Sequence, residues 1–341
     1  MNEIRHVTIV GAGIVGVCCA RFLQRAGLQV TVVDRGEPGK GTSFGNMGML
    51  CAIEHALPLP STAVLKNVPR MLIDPGSPLA IRWRYLPRLM PWLVRFVANA
   101  PESTRMRNAR SLASLMKDTL SAYATILEGS DAAAYVRRRG SLDVYRNEST
   151  FAAEAGERDR LRELGATVEE LNVDEIKQLE PNVSRDFRYG VYFPDCGHTL
   201  DPYRLTNALA DDVRAAGGQF VRAEVLGMDV GDDGVSRLLT DADPISIEAM
   251  VLATGAWSGP LAAALGSRVP LDTERGYHTV LQGVDAGIQR PVGDGEANLG
   301  LTQMVDGLRI GGTVELASLD APADYARATR FYERGRALIP G

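Results

Sequence analysis

Two apolar periods alternate near the start of the chain. Residues 7–10 (VTIV) form a short β-branched run, and from Ile14 to Ala26 the apolar positions return at helical spacing until Gly27. Residues 29–33 (QVTVV) then read as a second strand ending at Asp34. The same alternation resumes late in the chain. Residues 202–216 (PYRLTNALADDVRAA) are amphipathic and stop at Gly217 and Gly218, 219–225 (QFVRAEV) read as a strand, and 248–255 (EAMVLATG) form another strand run that leads through Ala256, Trp257 and Ser258 into a helix. Strands alternating with helices predict a parallel sheet, hence an α/β class.

The intervening chain is patterned differently. Between Leu86 and Val97 an apolar stripe at spacings of 3, 4 and 7 is interleaved with Trp83, Tyr85, Trp92 and Phe96. Residues 111–127 read as helical, 135–145 as two strands around Gly140, about 150–164 and 173–179 as helices, and 190–193 as a strand. The last third predicts strands near 269–281, 297–305 and 308–314, then a helix over 324–338. This is an α+β layout interleaved with the α/β part. The expected segments are 1–57 and 197–268 for the first domain, 58–196 and 269–320 for the second, and a terminal helix over 321–341.

Length and composition narrow the picture. A chain of 341 residues exceeds what one core usually organises, so two domains are expected. With 45% hydrophobic and 23% charged residues it can bury a sizeable core. A net charge of -5 provides no global field for phosphate backbones, and no nucleic-acid motif is present. Arg82, Arg84, Arg88, Arg95, Arg105, Arg107 and Arg110 form a local basic block facing only Glu102. It reads either as a cover over the second domain or as a membrane-surface contact. No apolar run reaches the roughly 18–20 residues of a membrane span, and no secretory signal opens the chain. A cytoplasmic location is expected, with a peripheral contact on the inner face of the cytoplasmic membrane as the alternative. Cys18, Cys19, Cys51 and Cys196 form no CxxC pair, and the histidines are widely spaced, so no metal site is expected.

The candidate chemistry begins at the first strand. Gly11, Gly13 and Gly16 spell GxGxxG between a strand and a helix, with Asp34 placed to accept hydrogen bonds from a ribose. The first glycine permits a tight turn, the second lets backbone approach a pyrophosphate, and the third lets helix and strand pack closely. A dinucleotide is predicted, NAD or FAD. Residues 40–50 (KGTSFGNMGML) lack strand or helix period and offer small residues and hydroxyls that suit lining the longer FAD.

Taken in order, GAGIVG, GTSFGNMG, LDPYRLTNAL at 200–209, VLATGAWS at 251–258 and PLDTERGYH at 270–278 resemble the FAD-dependent amino-acid oxidoreductases related to D-amino-acid oxidase. Within that family they resemble the D-amino-acid dehydrogenase and D-hydroxyproline dehydrogenase branch. The resemblance implies a glutathione-reductase-like Rossmann domain, a substrate domain interleaved with it, and noncovalent FAD. It gives Gly11, Gly13 and Gly16 to the pyrophosphate and Asp34 and Arg35 to the adenosine end. Thr42, Ser43, Asn46, Gly48 and Met49 are assigned to the run toward the flavin, Val225 lies beside adenine, and Thr254 and Gly255 close the dinucleotide. Arg275, Tyr277 and His278 are implied on the substrate side. Each has a plainer reading: an ion pair of Arg275 with Glu274 or Asp272, an interface-filling Tyr277, and a packing His278. Cys51 reads as a packing thiol.

The implied reaction is hydride transfer from the substrate Cα, with electrons passed to a membrane quinone or a dye. The substrate is a D-amino acid or an imino acid. Alternatives are an oxygen-using oxidase of glycine or sarcosine type, and a non-catalytic fragment or subunit. The latter follows because family members continue beyond the last helix with a Gly-x-Arg-Pro segment and a further glycine-rich turn, which leads to the expectation of weak flavin binding for a chain ending at Gly341.

Overall fold

The computed structural model describes residues 4–73, 77–231 and 234–340. The chain divides into two units, one comprising Met1–Asn46, Tyr123–Tyr135 and Asp201–Asp272, the other Met47–Ala122, Val136–Leu200 and Thr273–Gly341.

The first unit is built on a parallel four-stranded sheet in the order 219–222, 29–34, 6–10, 249–252. Val7, Ile9, Val30 and Val32 point to one face, where Ala12 from the turn before the Ile14–Arg25 helix, Ala20 from that helix and Val213 from the Pro202–Ala215 helix complete the core. Val10 and Val33 point to the other face, against Leu238. Such two-sided burial explains why these strands read as continuous apolar runs without alternation. Asp201 opens the second helix by accepting the Arg204 N–H at 2.9 Å, with Pro202 at the first helical position. The strand expected over 219–225 ends at Arg222. The Ala223 N–H bonds to the Asp34 carbonyl and the Glu224 N–H to Asp241, which turns the chain so that Val225 begins an antiparallel hairpin.

The second unit carries a mixed seven-stranded sheet in the order 278–282, 307–311, 299–304, 292–294, 141–145, 189–193, 169–172. On one face Leu142, Val144, Val292, Leu299, Leu301, Leu308 and Ile310 pack with Phe187, Leu338 and Ile339. On the other, Tyr145, Val191 and Phe193 pack with Leu161 and Cys196. The expected late meander is rearranged: strand 307–311 lies between 278–282 and 299–304, because the hairpin at Val305 and Asp306 folds it back between them. The helix expected over 150–164 is two helices, Glu148–Ala153 and Ala155–Glu163.

The basic block is not uniformly exposed. Arg105 is buried and grips both oxygens of Glu157, at 2.9 and 2.6 Å, while Arg82 pairs with buried Glu315 at 2.5 Å. Sequence-distant acids thus neutralise two of the arginines that face one local acid in the sequence. Among the described residues no helix is long and apolar enough to cross a membrane.

Candidate functional site

The glycine turn of the first unit is shaped from within and left open outward. Gly11 has φ +111°, and a β-carbon there would stand 2.4 Å from the Ala253 carbonyl oxygen. At Gly16 a β-carbon would be 1.9 Å from the Gly11 oxygen. Both are therefore glycine because the fold demands it. Gly13 differs: its β-carbon would meet only Ser43 Oγ, at 3.3 Å. The fold crowds that side far less than at Gly11 and Gly16, with only the Ser43 hydroxyl close, which suits approach of a ligand to the backbone. Gly13 is also the N-cap of the Ile14–Arg25 helix and brings no side-chain cap, so the positive end of the helix dipole faces that side.

Neighbouring residues hold this turn. Asp34 accepts the Ala12 N–H at 2.7 Å and the Gly36 N–H at 2.8 Å, locking the end of its strand to the turn. A carboxylate has roughly four acceptor positions, so about two remain for ribose hydroxyls. Ser43, buried in the short Thr42–Gly45 helix, accepts the Ile14 N–H at 2.9 Å. Asn46 caps that helix with contacts to the Thr42 and Ser43 carbonyls. The second turn arrives at Gly11 through Ala253 and Thr254; Thr254 Oγ1 lies 3.0 Å from Ser258 Oγ, and around Gly255 (φ +55°) no atom would touch an added β-carbon. Arg35 stacks 4.4 Å above the Trp257 ring and pairs with Glu224 at 3.4 Å, while half-buried Val225 begins the adjoining hairpin. Two strand-to-helix turns, one little-crowded glycine face and a spare carboxylate fit a dinucleotide phosphate and ribose.

Gly48 and Met49 lie in the second unit. Gly48 accepts the Thr199 N–H at 2.7 Å, and Met49 pairs with His198. Arg275 and Tyr277 converge on buried Glu315. Tyr277 donates to its Oε2 at 2.5 Å and accepts the Asp324 N–H, whereas Arg275 donates to the Ser318 and Leu319 carbonyls with Nη1 3.8 Å from Glu315. Burial pulls the Glu315 pKa up, but the bonds from Tyr277 and Arg82 outweigh it and hold the carboxyl below its ordinary range. The Arg275 partner is therefore Glu315, on the neighbouring strand, and neither Glu274 nor Asp272 takes that place. His278 starts the adjoining strand; burial and the nearby Arg309 guanidinium lower its pKa, so it is neutral at physiological pH.

The family model described as "FAD dependent oxidoreductase", DAO, matches residues 6–341. The chain belongs to this family. It is 35% identical over 343 residues to a D-amino-acid oxidase of Bradyrhizobium diazoefficiens, an alignment covering 100% of this chain and 81% of the relative. It is 33% identical over 348 residues to a D-amino acid dehydrogenase of Paramagnetospirillum magneticum, covering 98% and 81%. An L-proline dehydrogenase from P. horikoshii shares the fold at TM-score 0.71 and 18% identity, covering 100% of this chain and 78% of that one. The DAO assignment makes this chain an FAD-dependent oxidoreductase of α/β class, with FAD as its cofactor.

Two features of the second unit escape a linear reading. Cys51, Glu54 and His55 share one turn, with donor atoms within 4.8 Å of one another. Contacts with Cys51 and Glu54 push the His55 pKa up to about 10. The fold of this turn makes the grouping, although the cysteines form no CxxC pair and the histidines are widely spaced along the chain. The other feature is Asp143, a carboxylate in the middle of the large sheet.

Proposed function

We propose that this chain oxidises D-amino acids, with dehydrogenase rather than oxidase behaviour. The observation that carries the substrate class is similarity over nearly all of this chain and 81% of each of two relatives named for D-amino acids, joined to a glycine turn whose Gly13 is crowded only by the Ser43 hydroxyl. Gly11, Gly13 and Gly16 hold the pyrophosphate. Asp34 and Arg35, with Val225, hold the adenosine end. Thr42, Ser43, Asn46, Gly48 and Met49 run toward the flavin, and Thr254 and Gly255 close the second side. Backbone N–H groups and hydroxyls satisfy polar cofactor atoms that would otherwise be buried without partners.

The chemistry that FAD supplies when bound is acceptance of a hydride from the substrate Cα, leaving an imino acid that water hydrolyses to a 2-oxo acid and ammonia. The protein binds the substrate carboxylate, orients Cα–H and excludes water. Arg275 Nη1 is buried, faces Glu315 at 3.8 Å and makes no hydrogen bond, which leaves it able to turn to a substrate carboxylate. Tyr277 fixes the Glu315 network from which Arg275 projects, and neutral His278 offers a hydrogen bond without a charge.

For the acceptor, we assign a quinone or dye. On the Leu86–Ala98 helix Met90, Val94 and Val97 are exposed beside exposed Trp83, with Arg84, Arg88 and Arg95 among them, the composition of a helix lying on an anionic membrane surface. Oxygen is the second reading, favoured by the relative named an oxidase. Dye reduction and oxygen consumption measured on the same D- and L-amino-acid panel test both. D-selective dye reduction exceeding oxygen uptake supports the proposal; oxygen uptake equal to or above it selects the oxidase, and activity on L-amino acids alone rejects the substrate class.

A further inference from the structure

The ladder of the large sheet aligns one row of residues across it. His278 pairs with Gly311, Gly311 with Gly300, Gly300 with Gly293, Gly293 with Asp143, and Asp143 with Val191. Residues paired in this way point to the same face. Three consecutive strands therefore present no side chain along a strip about 10 Å wide, two strand spacings. The strip is bordered by His278 and Asp143. Beyond Asp143 the same face is covered by the Tyr145, Val191 and Phe193 cluster.

Packing within the chain explains only part of this strip. At Gly311 an added β-carbon would stand 2.7 Å from Met47 Sδ, so that glycine accommodates Met47. At Gly293 it would stand 2.2 Å from Asp143 Oδ1. The Asp143 carboxylate thus lies flat along the sheet, in the space of the missing side chain and directed toward Gly300. Gly300 has no such reason: its nearest contact would be Met47 Cε at 3.9 Å, ordinary van der Waals distance. A glycine inside a strand weakens it, and one that the fold does not require marks close approach by something else.

Asp143 stands apart from the buried acids of this unit. Asp294 is bonded to Arg146, Glu180 to Arg290 and the Gln289 N–H, and Glu315 to Arg82 and Tyr277. Asp143 accepts no hydrogen bond among the described residues, yet it is only half-buried. Burial pushes its pKa up to about 6; His55 opposes that rise, while Glu154 and Glu54 add to it. A partly desolvated carboxylate without a donor is costly unless a ligand brings one.

We propose that Asp143 is a specificity determinant that accepts the terminal cation of the substrate side chain, so that the preferred substrates are D-amino acids with an ammonium or guanidinium group. This rests on the D-amino-acid reading above. The side chain runs along the strip over Gly300, and the carboxylate at its end gains the charge-assisted partner the protein withholds.

The test compares D-lysine and D-arginine with D-norleucine, a neutral side chain of lysine-like length, in dye reduction by this chain loaded with FAD. Wild type is expected to favour the basic substrates in kcat/KM by about tenfold or more, the scale of a charged hydrogen bond. Asp143→Asn is expected to raise KM for D-lysine far more than for D-norleucine, and the D-lysine advantage of wild type to shrink as pH falls through about 6. Gly300→Ala, which meets no clash, is expected to raise KM for D-lysine while flavin content and melting temperature stay at wild-type values. A wild-type preference for D-norleucine, or an Asp143→Asn loss equal for both substrates, overturns the proposal. Should FAD be bound and no D-amino acid react, the D-amino-acid reading itself fails and this one with it; reaction of neutral D-amino acids alone sinks only the Asp143 assignment.

Discussion

Tyr277 donates its phenolic hydrogen to Glu315 Oε2 at 2.5 Å, and the same oxygen of Tyr277 accepts the Asp324 N–H at 3.0 Å. One side chain thereby ties a buried carboxylate to the segment leading into the last helix. Tyr277→Phe leaves both partners short of a bond. It should lower unfolding stability by about 1–3 kcal/mol, the cost of an unsatisfied buried group, read as a shift in the urea midpoint. A midpoint unchanged from wild type would show that the network holds nothing together.

The acid limb of stability should carry the signature of Glu315. Its folded pKa lies below the ordinary value, so its contribution is fully present above the unfolded pKa and is lost as pH falls through the folded one. Glu315→Gln is therefore expected to be less stable than wild type at neutral pH and to lose less on acidification below about pH 4.5, the region of an unperturbed glutamate. Melting curves from pH 7 to pH 3 decide this; parallel wild-type and variant curves would contradict it.

The three turn glycines should separate by phenotype. Gly13→Val meets only the Ser43 hydroxyl within the fold, so flavin occupancy should collapse while the unfolding midpoint of the flavin-free protein moves much less than for Gly16→Ala. Gly16→Ala meets the Gly11 carbonyl oxygen at 1.9 Å and should destabilise the apoprotein itself, by at least the roughly 1–3 kcal/mol typical of overpacking. Absorbance ratios at the flavin and protein bands, alongside urea titrations of the apoprotein, distinguish these outcomes. Equal behaviour of the two variants would remove the argument for a ligand at Gly13.

Asp34→Ala deprives the Ala12 and Gly36 N–H groups of their acceptor at once. Flavin affinity should drop by about tenfold or more, with Asp34→Asn intermediate because an amide oxygen can serve only part of the set. Fluorescence titration of apoprotein with FAD measures it. An Asp34→Ala protein that binds FAD like wild type would show that the turn holds its form without the clamp.

Exposed Trp83 and Val94 give the membrane reading a direct test. The protein should sediment with anionic vesicles at low salt and less at high salt, and a Trp83→Ser/Val94→Ser double variant should sediment less at both. Salt-independent absence of binding would leave the Leu86–Ala98 helix as a cover alone.

What the sequence by itself determined is local or periodic. The βαβ opening over residues 6–34 was legible because burial on both sheet faces writes unbroken apolar runs, and because Gly11, Gly13, Gly16 and Asp34 lie within a single turn-helix-strand unit. The amphipathic helix at 202–215 and the strand at 249–252 announced themselves by the same periods. Only the tertiary structure decided which partners residues find across long separations. The Arg82 and Arg105 charges are taken by Glu315 and Glu157, and Arg275 turns to Glu315 in preference to its neighbours in sequence. Gly293, Gly300 and Gly311 are unremarkable one by one along the chain and become a strip only when strand register sets them side by side with Asp143. Periodicity records which way a side chain points; register and long-range pairing, which depend on how distant strands meet, record what it points at.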